Sequence, residues 1–192
     1  MNTTTTMTQV PITKQMIIHS FEEEMDRQYH ELIETITNVA ADGKWFYNCD
    51  PLTYRMTKLL VDNGFHVVHT ELDSGEYECT VFGWSDFKYE HGHNNDCPWD
   101  TPASDPPNKQ MKTLRDIYVM ACTELANSMK YHAFLAAAEG NHECFFHEDM
   151  CGFTEIQSIP SRIHMCLSEA GIELCDAIGI KTGVYGFGWD NG

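Results

Sequence analysis

Apolar residues recur at three- and four-residue spacings through Ile18, Phe21, Met25, Leu32, Ile36 and Val39. That spacing draws one stripe along a helix over residues 17–41. Glu22, Glu23, Glu24 and Asp26 fall in its expected opening turns, where the helix dipole favours negative charge. Gly43 follows as a C-terminal cap. The aromatic run at residues 45–49 reads as a short strand. Pro51 then opens a second helix that reaches Asp62 and stops before Gly64. Two further runs, residues 66–72 and 77–84, flank Asp73-Ser74-Gly75 and predict a hairpin.

The second half repeats this grammar. Leu114, Ile117, Ala121, Leu125, Met129 and His132 mark a long helix ending at Gly140. A strand is expected at 144–147, a helix at 160–170, and a hairpin of strands 173–180 and 184–189 about Lys181-Thr182-Gly183. Shared landmarks run in the same order through both halves. Lys14-Gln15-Met16 matches Lys109-Gln110-Met111, and the Ala-Ala-acid-Gly ends of the long helices match at Gly43 and Gly140. Leu60 to Phe65 matches Leu167 to Ile172, and Phe82-Gly83-Trp84 matches Phe187-Gly188-Trp189. The expected fold is therefore α+β, two tandem repeats of helix–strand–helix–β-hairpin forming lobes related by a pseudo-two-fold axis. Residues 1–13 are expected to be a flexible N-terminal arm, 14–84 the first repeat, 85–108 a proline-rich acidic linker, and 109–192 the second repeat. Pro98, Pro102, Pro106 and Pro107 oppose regular structure in that linker.

Charge narrows the partners. The 192 residues carry 29 Asp and Glu against 12 Lys and Arg, a formal charge of -17. Such a surface disfavours a phosphate backbone or an anionic membrane, both of which require a basic footprint. At 42% hydrophobic the chain is apolar enough to bury a core. No apolar run approaches the roughly 18–20 residues of a membrane helix. The Thr-rich start lacks the basic and apolar regions of a signal peptide, so synthesis in the cytosol is expected. The eight cysteines are then expected as reduced, buried hydrophobes.

Candidate chemistry is sparse. His142, Cys144, His147 and Cys151 supply zinc-type ligands, but their spacing fits no established zinc pattern, and strand alternation puts Cys144 and His147 on opposite faces. The expectation there is a strand with buried Cys144 and Phe146 beside exposed histidines. His91 and His93, near Asp96 and Cys97, read as a solvated pair in the linker. His66 and His69 also alternate in a strand, one expected buried and one exposed. No serine elbow, phosphate loop or dinucleotide motif is present. Trp84 and Trp189 are read as core plugs in preference to stacking platforms for a planar ligand. No catalytic, cofactor-binding or metal residue is assigned, and no cofactor is expected.

The stretch from Leu60 through Gly64-Phe65 to the hairpin closing on Trp84 resembles small uncharacterised modules encoded by tailed bacteriophages. In those modules a helix ending in Gly-Tyr or Gly-Phe leads to strands that close on tryptophan. The second half departs from the pattern, with Ile172 in place of the aromatic residue and an insertion at 151–159. The resemblance implies a phage origin and carries over no catalytic residue. The functional expectation is a non-enzymatic structural or interaction protein, a virion accessory component made in the host cytoplasm and bridging other phage structural proteins. One alternative is a soluble host-takeover or anti-defence factor that binds a basic host protein or a small ligand. Another is a metal-dependent protein using the cluster from His142 to Cys151. Elemental analysis of the purified chain separates off the last of these. The expected result is no stoichiometric zinc; about one zinc per chain, lost on Cys144→Ala, would establish the metal-dependent alternative.

Overall fold

The computed structural model describes residues 13–88, 102–147, 159–174 and 184–189. Among them are four helices and two three-stranded antiparallel sheets, an α+β arrangement. In chain order these are α1 (Lys14–Ala41), β1 (Phe46–Cys49), α2 (Tyr54–Asp62), β2 (His66–Glu71), β3 (Tyr77–Phe82), α3 (Lys109–Ala138), β4 (Glu143–His147), α4 (Ser161–Ser168), β5 (Ile172–Leu174) and β6 (Val184–Trp189). The first half thus runs helix–strand–helix–hairpin, and the second is similar in outline. Most of the N-terminal arm, the linker at 89–101, the second hairpin turn and most of the expected strand 173–180 lie outside the described residues. No described helix is long and apolar enough to cross a membrane.

The chain divides into two compact units, Met1–Glu34 and Thr35–Gly192, so the division falls within α1. In the first unit α1 begins at Lys14, three residues before the expected start, and its first turn holds no acidic residue. Glu22, Glu23, Glu24 and Asp26 therefore do not serve the helix dipole as expected. Instead Arg27 bonds Glu24 at 2.6 Å one turn before it and Glu31 one turn after it. The hydrogen bonds from Arg27 and Gln28 hold the Glu24 carboxyl down at about 2. Ile17, Ile18 and Phe21 are exposed, so only the later part of the predicted stripe is covered in this chain.

In the second unit every helix stops on a glycine with positive φ: Gly43 (76°), Gly64 (92°), Gly140 (85°) and Gly171 (71°). After three of them the chain closes a Schellman cap, in which the following amide donates five residues back. Lys44 reaches Val39 O at 3.1 Å, Phe65 reaches Leu60 O at 3.1 Å, and Asn141 reaches Ala136 O at 3.0 Å. At the other ends, Thr53 caps α2 by accepting from the Met56 amide, and Asn108 caps α3 by accepting from the Met111 amide at 2.9 Å. The Asn108 side-chain amide also donates to Asn63 O at 2.6 Å, so one side chain serves the end of α2 and the start of α3.

The sheets have orders β1-β3-β2 and β4-β6-β5. The cap glycines set their correspondence. Tyr47 lies four residues past Gly43 and Cys144 four past Gly140; Val67 lies three past Gly64 and Leu174 three past Gly171. Tyr47 and Val67 both pair with Val81, while Cys144 and Leu174 both pair with Phe187. Val81 therefore corresponds to Phe187, and both are buried. The Phe-Gly-Trp phrases match one residue out of this register. A one-residue displacement exchanges the faces of a strand, so Phe82 and Phe187 face opposite ways. Phe82 stacks on His66 with centroids 5.1 Å apart, whereas Phe187 packs on buried Phe146 at 5.4 Å. The tryptophans differ too. Trp84 is fully buried and donates its indole N–H to Lys44 O at 2.9 Å. Trp189 stays inside β6 and is only half-buried, so the expected core plug is found in the first half and not fully in the second.

The core is organised by α3. Met111, Leu114, Tyr118, Cys122, Ala126, Met129 and Ala133 are all buried along it. It packs against α4 and β4, with His132 edge-on to Phe146 at 5.9 Å. The helix and the residues leading into it also reach the first half: a Cβ added at Gly43 would stand 2.9 Å from Leu125, and one at Gly64 would stand 3.4 Å from Met111 and 2.5 Å from Pro107, just ahead of the helix. Cys122 donates its thiol to Gly43 O at 3.7 Å. The inner edges of the expected linker also pack. Phe87 is buried and bridges to Pro102. Asp86 meets Arg162 of α4 at 3.0 Å, with side-chain exposures of 17% and 22%.

Gly64→Ala meets both left-handed strain and the Pro107 ring, while Gly140→Ala has open space and meets the strain alone. Equilibrium urea unfolding should show a loss of about 1 kcal/mol for Gly140→Ala and about 3 kcal/mol for Gly64→Ala. Asp86→Ala strands the mostly buried Arg162. Allowing for its residual exposure, the expected cost is about 2 kcal/mol by the same measurement.

Candidate functional site

β1 ends at Cys49, and the chain turns through Asp50-Pro51-Leu52 into α2. Opposite it the β2–β3 hairpin closes with Leu72 N–H donating to Glu76 O at 2.7 Å and Gly75 N–H donating to Leu72 O at 2.8 Å. Between these two turns opens a cavity of about 900 Å³. Tyr47 and Tyr77 give it aromatic surface, Leu52 and Leu72 aliphatic surface, and Asp50, Glu76 and Glu78 a concentration of negative charge. Cys49 lines it as well.

Antiparallel pairing puts Cys49 directly across from Cys79. The two thiols interact across the ladder. Burial pushes the Cys49 thiol up to about 12, and the nearby Cys79, Asp50 and Glu78 add to the shift. Burial raises Cys79 too, against the opposing effect of the Cys49 hydrogen bond and the Leu52 backbone. The Tyr47 phenol is raised by burial first, then by Cys49 and Asp50. Every shift in this cavity favours the neutral form of an acid. A nucleophilic cysteine needs the reverse, a thiolate stabilised by positive charge. The arrangement is suited to receiving a cation with an apolar shaft, whose charge meets carboxylates and whose stem meets tyrosine.

The residues weighed in the sequence fall elsewhere. Cys144 and Phe146 are buried in β4, as expected for that strand, and His142 is exposed just before it. Glu148 to Cys151, and His91, His93, Asp96 and Cys97, lie outside the described residues. Among the described residues no three His, Cys, Asp or Glu side chains converge as a metal site. His66 and His69 take opposite faces, yet both are exposed, contrary to the expected buried-and-exposed pair. The reason is that β2 is an edge strand: His66 stacks on Phe82 and His69 meets the Thr57 hydroxyl at 3.4 Å. The cavity itself was missed in the sequence. Tyr47, Cys49, Glu76 and Glu78 come from separate strands and turns, and only the strand register brings them together.

No protein-family model, curated protein or solved structure matches the chain.

The thiol shift has a direct consequence for pH. A raised folded-state pKa keeps its stabilising effect below the thiol's ordinary value of 9.0 and loses it as pH climbs toward about 12. Peptide-resolved iodoacetamide labelling should therefore find Cys49 slow through the range in which an ordinary thiol becomes reactive. Asp50→Asn with Glu78→Gln should speed it several-fold at about pH 9.

Proposed function

We propose that this chain is a non-enzymatic interaction protein that docks a basic protein partner through acidic surface on two tandem, duplicated helix–strand–helix–hairpin lobes. The observation that carries the reading is the cavity between the β1–α2 turn and the β2–β3 hairpin. It concentrates Asp50, Glu76 and Glu78 beside two tyrosines while its thiols are held protonated. Such a site attracts a lysine or arginine side chain and lacks an activated nucleophile. The duplication is supported by the matching cap glycines and by the common strand order. Two lobes of similar design suit the bridging of two copies of a partner, and a net charge of -17 opposes self-association.

The phage resemblance supplies the setting: an accessory component of a tailed-phage particle, contacting other structural proteins of that particle. A host-takeover factor that binds a basic host protein is the second reading, favoured by the same acidic surface. Quantitative mass spectrometry of purified particles decides between them, since a virion component is present there in many copies and a host factor is not. Docking itself is tested by pull-down across a salt series. Capture should weaken as salt passes about 0.15 M, where screening falls to about 8 Å. Glu76→Gln with Glu78→Gln should slow association roughly tenfold with little change in the fold. Capture indifferent to both would overturn the proposal.

A further inference from the structure

Cys49 and Cys79 stand out among the described thiols because the fold aims them at each other. They are direct Cα partners across β1 and β3. Paired residues of an antiparallel ladder have Cα atoms about 4.5 or 5.5 Å apart, and both values lie within the roughly 4.4–6.8 Å that a disulfide spans. The other described thiols have different surroundings. Cys122 donates to Gly43 O from within α3, Cys144 sits across from Phe187, and Cys166 is half-buried on α4. Access is also graded: Cys49 lines the cavity, whereas Cys79 is fully buried behind it.

We infer that Cys49 and Cys79 form a latent cross-strand disulfide, closed by exchange with a small cationic disulfide that enters the acidic cavity. Cys49 reacts first because it faces the cavity; the ammonium groups of the incoming disulfide offset the charge of Asp50 and Glu78 there, and the small thiolate fraction this allows carries a slow exchange. Its sulfur bonds to one sulfur of the incoming disulfide, the incoming S–S bond breaks, and one thiol departs with the proton from Cys49. The Cys79 sulfur then attacks the Cys49 sulfur, the mixed disulfide breaks, and the second thiol departs with the proton from Cys79. The pair loses two electrons, and the small disulfide is reduced to two thiols. The closed bond links β1 to β3 at the cavity wall and constrains the chain from Cys49 to Cys79, including α2 and the hairpin turn. This goes beyond the docking reading and does not depend on which partner is bound.

The test treats the full, folded chain with cystamine, a dicationic disulfide, or with anionic oxidised glutathione, followed by acid quench and peptide mass mapping. Cystamine should yield a Cys49–Cys79 linked peptide, on the order of tenfold faster than glutathione disulfide. The oxidised chain should melt several degrees higher, an increase reversed by dithiothreitol. Cys79→Ser should stop at a stable cysteamine adduct on Cys49. Because Cys79 is in the core, Cys49→Ser at the cavity wall is the second variant; it should give no link and leave Cys79 unmodified. A wild-type chain that accumulates the Cys49 adduct without a link would overturn the inference. So would a Cys49 that stays unmodified while Cys166 reacts, or a link between other cysteines.

Discussion

Close approach to α3 is the constraint on which the larger unit depends. That helix cannot bury its apolar side chains alone, and it meets both halves of the chain. On one side it packs against α4 and β4. On the other, Leu125 and Cys122 come up to Gly43, and Met111, with Pro107 just ahead of the helix, comes up to Gly64. Both glycines are cap residues, so a single residue type answers two demands: left-handed backbone to end a helix, and absence of a Cβ where α3 arrives. Asn108 adds directionality by capping α3 with its oxygen while its amide holds the last turn of α2.

Similar local grammar does not give similar faces. Counted from the cap glycines, Val81 and Phe187 occupy one place in the two ladders, and both are buried. The aromatic phrase that closes each half is displaced by one residue between them. In the first half this turns Phe82 outward beside Trp45, Phe46 and His66 and lets Trp84 leave the strand for the core. In the second half Phe187 takes the core place and Trp189 stays in the strand. The acidic cavity lies on the first sheet, where β1 and the hairpin turn converge.

Burial first, and charge second, set that cavity's chemistry. Cysteine and tyrosine are both potentially reactive, but burial beside Asp50, with Glu78 also near the thiol, keeps protons on them. The same carboxylates that oppose a thiolate attract a cation, so binding and reactivity are set in opposite directions by one field. Asp86 illustrates the other use of an acid in this chain. Placed against Arg162 and largely shielded from water, it joins the segment after β3 to α4.

Much of the secondary structure was legible from periodicity and punctuation. The spacing of Leu114, Ile117, Ala121, Leu125 and Met129 announces α3, and Gly43, Gly64 and Gly140 announce helix ends because few other residues tolerate positive φ there. Net charge and the scarcity of catalytic motifs were equally open to inspection, since both are sums over residues. The start of α1 was less so: the acidic run drew the expected boundary too late, and Glu24 within that run pairs with Arg27. Exposure of His66 and His69 depended on β2 lying at a sheet edge, which no local pattern records. Register was decided only by tertiary structure. Whether Phe82 faces in or out, and whether Cys49 meets Cys79, changes with a slip of one residue that leaves every local propensity intact. Sequence alone determined which segments would be helix or strand, because hydrophobic period and backbone freedom are local properties. The fold decided which side chains meet, because strand pairing and the burial of α3 are long-range choices.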